Sequence, residues 1–261
     1  MSQKCAWIIN FGPDDRPAQM AAAQLNAYGL PAAGQKWPKG EDKAWMNSAE
    51  EAAQRNTAVI ILVGQAAELD PATRAELALF RLALQTHRGA PLNGLSLLAG
   101  VPAAPAQAEG RSGMLDDWLA PADARWTARA VARAHAPVAP AWPVRLGLHA
   151  HERLGAWLEV HPSPGQNSPG ACVGVAGEGA SIDFHAVGPA AALPERSVNE
   201  YELQGLKFDI GPLAFEAWAL QNRIAPDHSY FVRIAGLPSH LAIGSLPEGQ
   251  LEDIHIVSIA S

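Results

Sequence analysis

The sequence A-V-I-I-L-V, from Ala58 to Val63, decides the fold of the first part of the chain. An unbroken apolar run of this length, with helical patterns on either side, is typical of a strand buried on both faces of a sheet. The preceding pattern predicts a helix at residues 45–55. The following pattern predicts a helix at residues 71–87, which Gly89 ends.

The same alternation extends outward in both directions along the chain. Apolar runs at residues 6–11, 30–33 and 95–99 predict three further strands, and residues 18–28 predict another helix. Strands that alternate with helices are joined by helical crossovers and run parallel, so the fold class is α/β with a flavodoxin-like parallel sheet. Ligands bind such sheets where the carboxyl ends of the strands meet their loops.

The second half of the chain has a different sequence pattern. Residues 136–143, A-P-V-A-P-A-W-P, predict a stiff linker between a first domain, residues 1–135, and a second domain, residues 144–261. Short apolar or alternating segments separated by Gly and Pro predict that the second domain is mainly β, a sandwich or a partly closed barrel. One helix is expected in it, at residues 213–222.

Composition restricts the partners and the compartment. The chain carries a net charge of −7, and residues 141–261 account for it with 6 Lys/Arg and 13 Asp/Glu. This balance excludes a nucleic-acid surface there, because phosphates require clustered Lys and Arg. No apolar run approaches the roughly 20 residues that span a bilayer. Cys5 and Cys172 are expected to be reduced thiols, so the sequence predicts a cytoplasmic protein that binds neither nucleic acid nor membrane.

The predicted helix at residues 71–87 carries a regular pattern of arginines. Arg74, Arg81 and Arg88 recur every seven residues along it. We expect this stripe to be a solvated face of the helix rather than a binding surface.

Four short motifs within residues 4–135 carry a resemblance to a known family. They are Asn10-Phe11-Gly12-Pro13-Asp14-Asp15, Trp37-Pro38-Lys39-Gly40, Gln54-Arg55-Asn56 and Asp70-Pro71-Ala72-Thr73-Arg74-Ala75-Glu76-Leu77. In these positions the chain resembles the Toll/interleukin-1 receptor (TIR) domain of bacterial type. It departs from that family at Gly64, where serine is usual, and at Ala72-Thr73, where a tryptophan-cysteine pair is frequent.

The resemblance implies a site for NAD. Glu76 takes the place of the glutamate that cleaves NAD in enzymatic TIR domains, and the cleft would be completed by Phe11, Asp14, Trp37 and Pro38, with Trp37 stacking on a ring. A carboxylate suits this reaction, because it holds the ribose hydroxyls and stabilises the oxocarbenium-like ribose that nicotinamide leaves behind. NAD is then a substrate, and no cofactor is required. The alternative is that Glu76 is a first-turn helix carboxylate that only interacts with the helix dipole.

Histidines in the second half suggest a different chemistry. His149 and His151 are two residues apart on one predicted strand, and His161 and His185 follow on later segments. Residues at this spacing share one face of a strand, so the four histidines form a candidate metal site. The alternative interpretation is that they are surface or half-buried strand residues.

Together these features predict a bacterial-type signalling or defence protein. The TIR-like domain cleaves NAD through Glu76 or assembles with copies of itself, and the acidic β domain senses a signal or docks a protein partner. A second hypothesis is a non-catalytic interaction scaffold in which both domains only bind. A third is a metal-dependent enzyme that uses the strand face of His149 and His151.

Overall fold

A computed structural model describes residues 3–40, 43–100, 111–138, 144–151, 153–163, 165–196, 199–246 and 252–259. Contacts between Cα atoms divide the chain into two compact units. The first unit comprises the described residues up to 100 together with 114–138. The second comprises 111–113 and the described residues from 144 onward. Residues 139–143 of the predicted linker lie outside the described part of the chain.

The first unit contains a parallel sheet and helices that alternate with its strands. The strands are β1 (Cys5–Asn10), β2 (Ala32–Lys36), β3 (Thr57–Gln65) and β4 (Asn93–Ala99), and the helices are α1 (Arg16–Ala27), α2 (Ala44–Gln54), α3 (Pro71–Arg88), α4 (Asp116–Leu119) and α5 (Trp126–His135). The strands lie in the order β2-β1-β3-β4, and every neighbouring pair is parallel. The predicted α/β class and parallel sheet are therefore confirmed. In the described residues, no helix is long and apolar enough to cross a membrane.

Strand β3 is buried on both faces, as its sequence predicts. Ile61 packs in one cluster with Ile8 of β1, Leu25 of α1 and Ala130 of α5. Ile60 points to the opposite face and is also fully buried. The absence of polar residues between positions 58 and 63 follows from this double burial.

Helix α3 begins and ends at strong local signals. Asp70 caps its N-terminus by accepting a hydrogen bond from the Thr73 amide at 2.7 Å, and Pro71 occupies its first turn. Gly89 ends the helix with φ 65°, in the left-handed region that glycine tolerates best. These caps fix where each later residue of α3 lies around the helix, including Glu76.

The prediction that the arginines of α3 form a solvated face is wrong for Arg81, the middle one. Arg81 is only 2% exposed, and its guanidinium donates to both carboxylate oxygens of Asp117, at 2.5 and 3.0 Å, and to the Met114 carbonyl. It also lies 4.9 Å from the centroid of the Trp118 ring. Arg81 therefore joins α3 to α4, and the seven-residue spacing could not reveal a partner that lies 36 residues away.

The second unit contains two β-sheets. Its strands are β5 (Arg111–Gly113), β6 (Arg145–His151), β7 (Gly155–His161), β8 (Ala171–Ala176), β9 (Ser181–Pro189), β10 (Leu203–Ile210), β11 (Leu213–Leu220), β12 (His228–Ala235), β13 (His240–Ser245) and β14 (Glu252–Ser258). One sheet has the order β10-β11-β8-β13-β14-β5 and the other β6-β7-β12-β9. The Tyr230 hydroxyl of one sheet donates to the Trp218 carbonyl of the other at 3.2 Å, and the His185 ring also contacts Trp218. The predicted β-rich character is confirmed, and these side chains join the two sheets.

Two segments of this unit differ from the sequence expectation. Residues 213–222, predicted as a helix, contain strand β11, in which Phe215, Ala217 and Ala219 are buried at a period of two. The pattern resembles a helix because several outward positions are apolar as well. Residues 111–113, expected within the first domain, form β5 and pair in parallel with β14.

Gly94 of β4 lies where α4 packs closely on the parallel sheet. The fully buried ring of Trp118 lies directly on Gly94, so a Cβ atom at residue 94 would stand 2.5 Å from Trp118 Cγ. We expect Gly94→Ala to lower the free energy of unfolding, measured in urea, by about 1–3 kcal/mol, because the ring has no space to move. Gly12→Ala is the matched control, since a Cβ atom there meets nothing closer than 3.6 Å. An equal loss in both variants would contradict this packing.

Candidate functional site

The carboxyl ends of β1 and β2 bring two predicted site residues together. The amide of Trp37, the first residue after β2, donates to the Asn10 carbonyl at the end of β1, at 2.8 Å. The amide of Phe11 donates to the Val63 carbonyl of β3 at 2.9 Å. Phe11 and Trp37 therefore leave the sheet at the same edge, and their ring centroids are 5.6 Å apart.

Helix α3 adds Glu76 and Phe80 to this pair. The Trp37 indole N–H donates to Glu76 Oε2 at 3.3 Å. The Phe80 ring, one helical turn beyond Glu76, meets Trp37 edge-to-face at 5.8 Å. We call Phe11, Trp37, Glu76 and Phe80 the Trp37 cluster. Three residues that the TIR resemblance assigns to one cleft are thus neighbours in the structure.

The two carboxylate oxygens of Glu76 have different surroundings. Oε2 accepts the hydrogen bond from Trp37, whereas Oε1 accepts none from any described residue. The side chain is half-buried and lies in the second turn of α3, so it is not the first-turn carboxylate of the alternative interpretation. A carboxylate that is held by one oxygen can accept a hydrogen bond from a ligand with the other.

The ring of Trp37 is covered. Phe11 and Phe80 pack against the indole of Trp37, which is only 4% exposed. Phe11 is also 4% exposed. The predicted stacking of Trp37 on a ligand ring does not fit this burial. In this structure the indole instead orients Glu76 through its N–H group.

Asp14 and Pro38 lie at the rim of the Trp37 cluster. Asp14 accepts hydrogen bonds from Arg16 at the start of α1, at 2.9 Å from Nε and 3.0 Å from the amide. Pro38 follows Trp37 directly and is half-buried. Neither residue takes part in the described contacts that join Phe11, Trp37 and Glu76.

Two residues that the sequence analysis names only in the family comparison, without a role in the site, shape this edge. Asn10 is 3% exposed, and its side chain donates to Asp15 Oδ1 at 2.9 Å and accepts from the Gly12 amide at 3.0 Å. Its sequence signals are a polar residue near the end of an apolar run and its place in the first of the four motifs. Gly64 has φ 137°, and a Cβ atom there would stand 3.1 Å from the Gly12 nitrogen. Serine, usual at this position in the TIR family, would crowd the loop after β1.

The four histidines proposed as metal ligands do not converge. His149, His151 and His161 lie on the face of the four-stranded sheet that carries Glu159, whereas His185 lies on the opposite face. Among the residues that the structure describes, no group of three or more His, Cys, Asp or Glu side chains is placed to hold a metal ion. Spacing along one strand shows which residues share a face there, but it does not show which face a later strand presents.

Glu159 is the centre of the polar cluster on this sheet. Its Oε2 lies 2.8 Å from His149 Nε2, and its Oε1 accepts from the Ser229 hydroxyl at 2.6 Å, the Ala191 amide at 2.9 Å and Arg145 at 3.3 Å. The residue is only 3% exposed. Both of its oxygens are therefore used within the protein, and the cluster ties the chain after β9 to the sheet.

These contacts determine the charge of Glu159. Burial by itself raises its pKa, but hydrogen bonds from His149, Ser229 and the Ala191 amide, with attraction to His149, outweigh burial and lower the pKa to about 2. The carboxylate is ionised at neutral pH. These contacts give Glu159 a structural role, because neither of its carboxylate oxygens is left for a ligand.

Comparisons with known proteins assign no family to the chain. No family model and no curated protein matches it. Two solved structures, ChBD2 and ChBD3 from Thermococcus kodakarensis KOD1, are similar to 41% and 42% of this chain and to 90% and 91% of their own, at 10% and 9% identity. The TM-score is 0.23 for each.

The low pKa of Glu159 predicts an acid-sensitive contribution to stability. Because the pKa is lowered from 4.5 to about 2, the ionised carboxylate stabilises the fold fully above pH 4.5, and this contribution is lost as the pH falls towards 2. The difference corresponds to about 3 kcal/mol. We expect the free energy of unfolding in urea to fall by about that much more for the unmodified protein than for Glu159→Gln across this range.

An exposed carboxylate of the same unit provides the control. Glu178→Gln removes an exposed side chain and should retain the pH dependence of the unmodified protein. Equal pH dependence in the unmodified protein and in Glu159→Gln would contradict the role assigned to Glu159.

Proposed function

We propose that the first unit is a TIR-like module that cleaves the bond between nicotinamide and ribose in NAD, with Glu76 as the catalytic carboxylate. The observation that carries the proposal is the hydrogen bond from Trp37 to Glu76 Oε2. It holds the carboxylate at the carboxyl edge of the sheet and leaves Oε1 without a partner among the described residues. The strand order supports the proposal, because in such sheets ligand sites lie at this edge, where connections from β1 and β3 turn in opposite directions.

Glu76 acts on the ribose in this reaction. The bond between C1′ and the nicotinamide nitrogen breaks, and its electron pair leaves with that nitrogen, which cancels the pyridinium charge. The positive charge passes to the ribose, and Glu76 stabilises it while Oε1 accepts a hydrogen bond from a ribose hydroxyl. Water then adds to C1′ and releases a proton. The products are nicotinamide, ADP-ribose and H⁺.

A cationic side chain at the same edge suits the pyrophosphate of NAD. Lys36 ends β2 directly before Trp37, and its ammonium group donates to the Pro13 carbonyl in the loop after β1, at 3.0 Å. It is exposed, and no described carboxylate pairs with it. Lys39 is less suited, because Glu68 holds its ammonium group at 2.6 Å. We therefore assign phosphate binding to Lys36.

The wider role that goes with this activity is bacterial-type signalling or defence in the cytoplasm. Copies of the chain assemble through the first unit, and NAD cleavage follows assembly. The second unit, which carries most of the acidic excess, senses a signal or docks a protein partner. NAD is the substrate in this scheme, and no cofactor takes part.

The burial of the Trp37 cluster favours a second function, a scaffold that binds without catalysis. Phe11 and Trp37 are each 4% exposed, as core aromatic residues are. A hydrogen bond from Trp37 to Glu76 within such packing stabilises the chain after β2 whether or not a ligand binds. In this second function Glu76 positions Trp37, and the first unit only assembles with copies of itself or a partner.

Incubation of the purified full chain with NAD separates the two functions. At high protein concentration with a crowding agent, we expect nicotinamide release that falls about a hundredfold or more in Glu76→Gln, because the substitution removes the negative charge. Glu51→Gln is the matched control, since Glu51 is an exposed carboxylate on α2 of the same unit. Chromatographic measurement of nicotinamide follows the reaction.

Each outcome decides between the two functions. Release that disappears in Glu76→Gln and persists in Glu51→Gln supports NAD cleavage at Glu76. Equal release from all three proteins overturns the assignment of Glu76. No release, with concentration-dependent self-association in sedimentation velocity, overturns the enzyme and supports the scaffold.

A further inference from the structure

The second unit contains a cavity that the proposed function does not use. It has a volume of about 340 Å³ and lies between the two sheets, with Val160 of β7 on one side and Ile243 of β13 on the other. Ile224 adds a third aliphatic wall. Polar side chains, among them Gln166 and Asn167, line the remainder. A volume of this size is within the range of small-molecule sites, about 300–1,000 Å³.

The charge of the cavity is negative. Asp253 lines it, and no Lys or Arg is among the described residues that do. His255 also lines it, and burial lowers the pKa of its ring, which favours the neutral imidazole. A phosphate or carboxylate ligand would therefore meet repulsion and find no cation to pair with. A positively charged ligand would be attracted.

Asp253 is placed at the cavity by a distortion of its strand. Between Ser245 and Ile243 of β13, strand β14 contains one extra residue, which is a β-bulge. Asp253 lies in this bulge with φ 52°, in the left-handed region that few side chains adopt. No described residue donates a hydrogen bond to its carboxylate or pairs with it. The side chain is exposed, so both of its carboxylate oxygens are open to a ligand at the cavity.

The other residues that line the cavity indicate which class of cation fits it. The side-chain amides of Gln166 and Asn167 have no hydrogen-bond partner among the described residues, and their oxygens can accept from an N–H donor. No Phe, Tyr or Trp ring is among the described lining residues. Quaternary ammonium groups are bound by aromatic cages, so the lining suits a primary ammonium group, which donates hydrogen bonds. The aliphatic walls suit a short methylene chain.

We propose that this cavity binds a small aliphatic primary amine in its protonated form, with the ammonium group on Asp253 and the methylene chain against Val160, Ile224 and Ile243. The site belongs to the second unit and shares no residue with the Trp37 cluster. Its success or failure is therefore independent of NAD cleavage. Such a site gives the acidic second unit a small-molecule ligand to sense.

Three probes of equal chain length test the charge that the cavity selects. They are 1,4-diaminobutane, 1,4-butanediol and succinate, which carry positive, zero and negative charge at pH 7. Titration of the full chain, followed by the methyl NMR signals of Ile224 and Ile243, reports binding at the cavity itself. We expect saturable shifts with the diamine and none with the diol or succinate. In Asp253→Asn the dissociation constant for the diamine should rise about tenfold or more, because a charge-assisted hydrogen bond is lost.

Two further variants control for folding and for non-specific attraction. Asp253→Gly also removes the carboxylate and relieves the positive φ, so both Asp253 variants are expected to fold. Asp209→Asn removes an exposed carboxylate of β10, outside the cavity, and should bind the diamine as the unmodified protein does. Equal binding of the diol and the diamine overturns the proposal. So does the absence of saturable shifts, or an Asp253→Asn variant that binds the diamine as tightly as Asp209→Asn.

Discussion

A parallel sheet has to be covered on both faces, and the arrangement of the first unit depends on this constraint. Strand β3 has a neighbour on each side and is buried above and below, so its connections leave only at its ends. Connections from β1 and β3 turn in opposite directions, and the loops that begin there meet where Gly64 approaches Gly12. Phe11, Trp37 and Glu76 come together at this edge because of that topology, and not because of any local preference.

Three carboxylates differ in how many of their oxygens the protein itself occupies. Both oxygens of Glu159 accept hydrogen bonds within the protein, and its pKa is lowered to about 2. Its ionised carboxylate therefore holds the loop after β9 to the four-stranded sheet. Glu76 has one oxygen held by Trp37, and the other is without a described partner. Asp253 has neither oxygen paired within the described chain, although a strained bulge places it at a cavity. A carboxylate oxygen that the protein itself leaves unoccupied can accept a hydrogen bond from a ligand.

The parts of the fold with strong local signals were predictable. Helix α3 has an N-cap aspartate, a first-turn proline and a terminal glycine, and β3 is an uninterrupted apolar run. Strand β11 was not predictable, since its outward residues include apolar ones that blur a period of two into a helical pattern. The family resemblance brought Phe11, Trp37 and Glu76 into one hypothesis. It could not show that Phe80 covers the indole or that Asp14 pairs with Arg16.

The sequence by itself determined the alternation of strands and helices in the first unit, the β-rich second unit and the helix ends, because these depend on neighbours within a few residues. Only the tertiary structure decided which side chains meet. Arg81 is buried because Asp117 reaches it from another helix, and His185 is separated from His149 because β9 presents the opposite face of the sheet. Trp37 and Glu76, which one hydrogen bond joins, are 39 residues apart in the sequence. Contacts at such separations depend on packing and strand order, which no local pattern encodes.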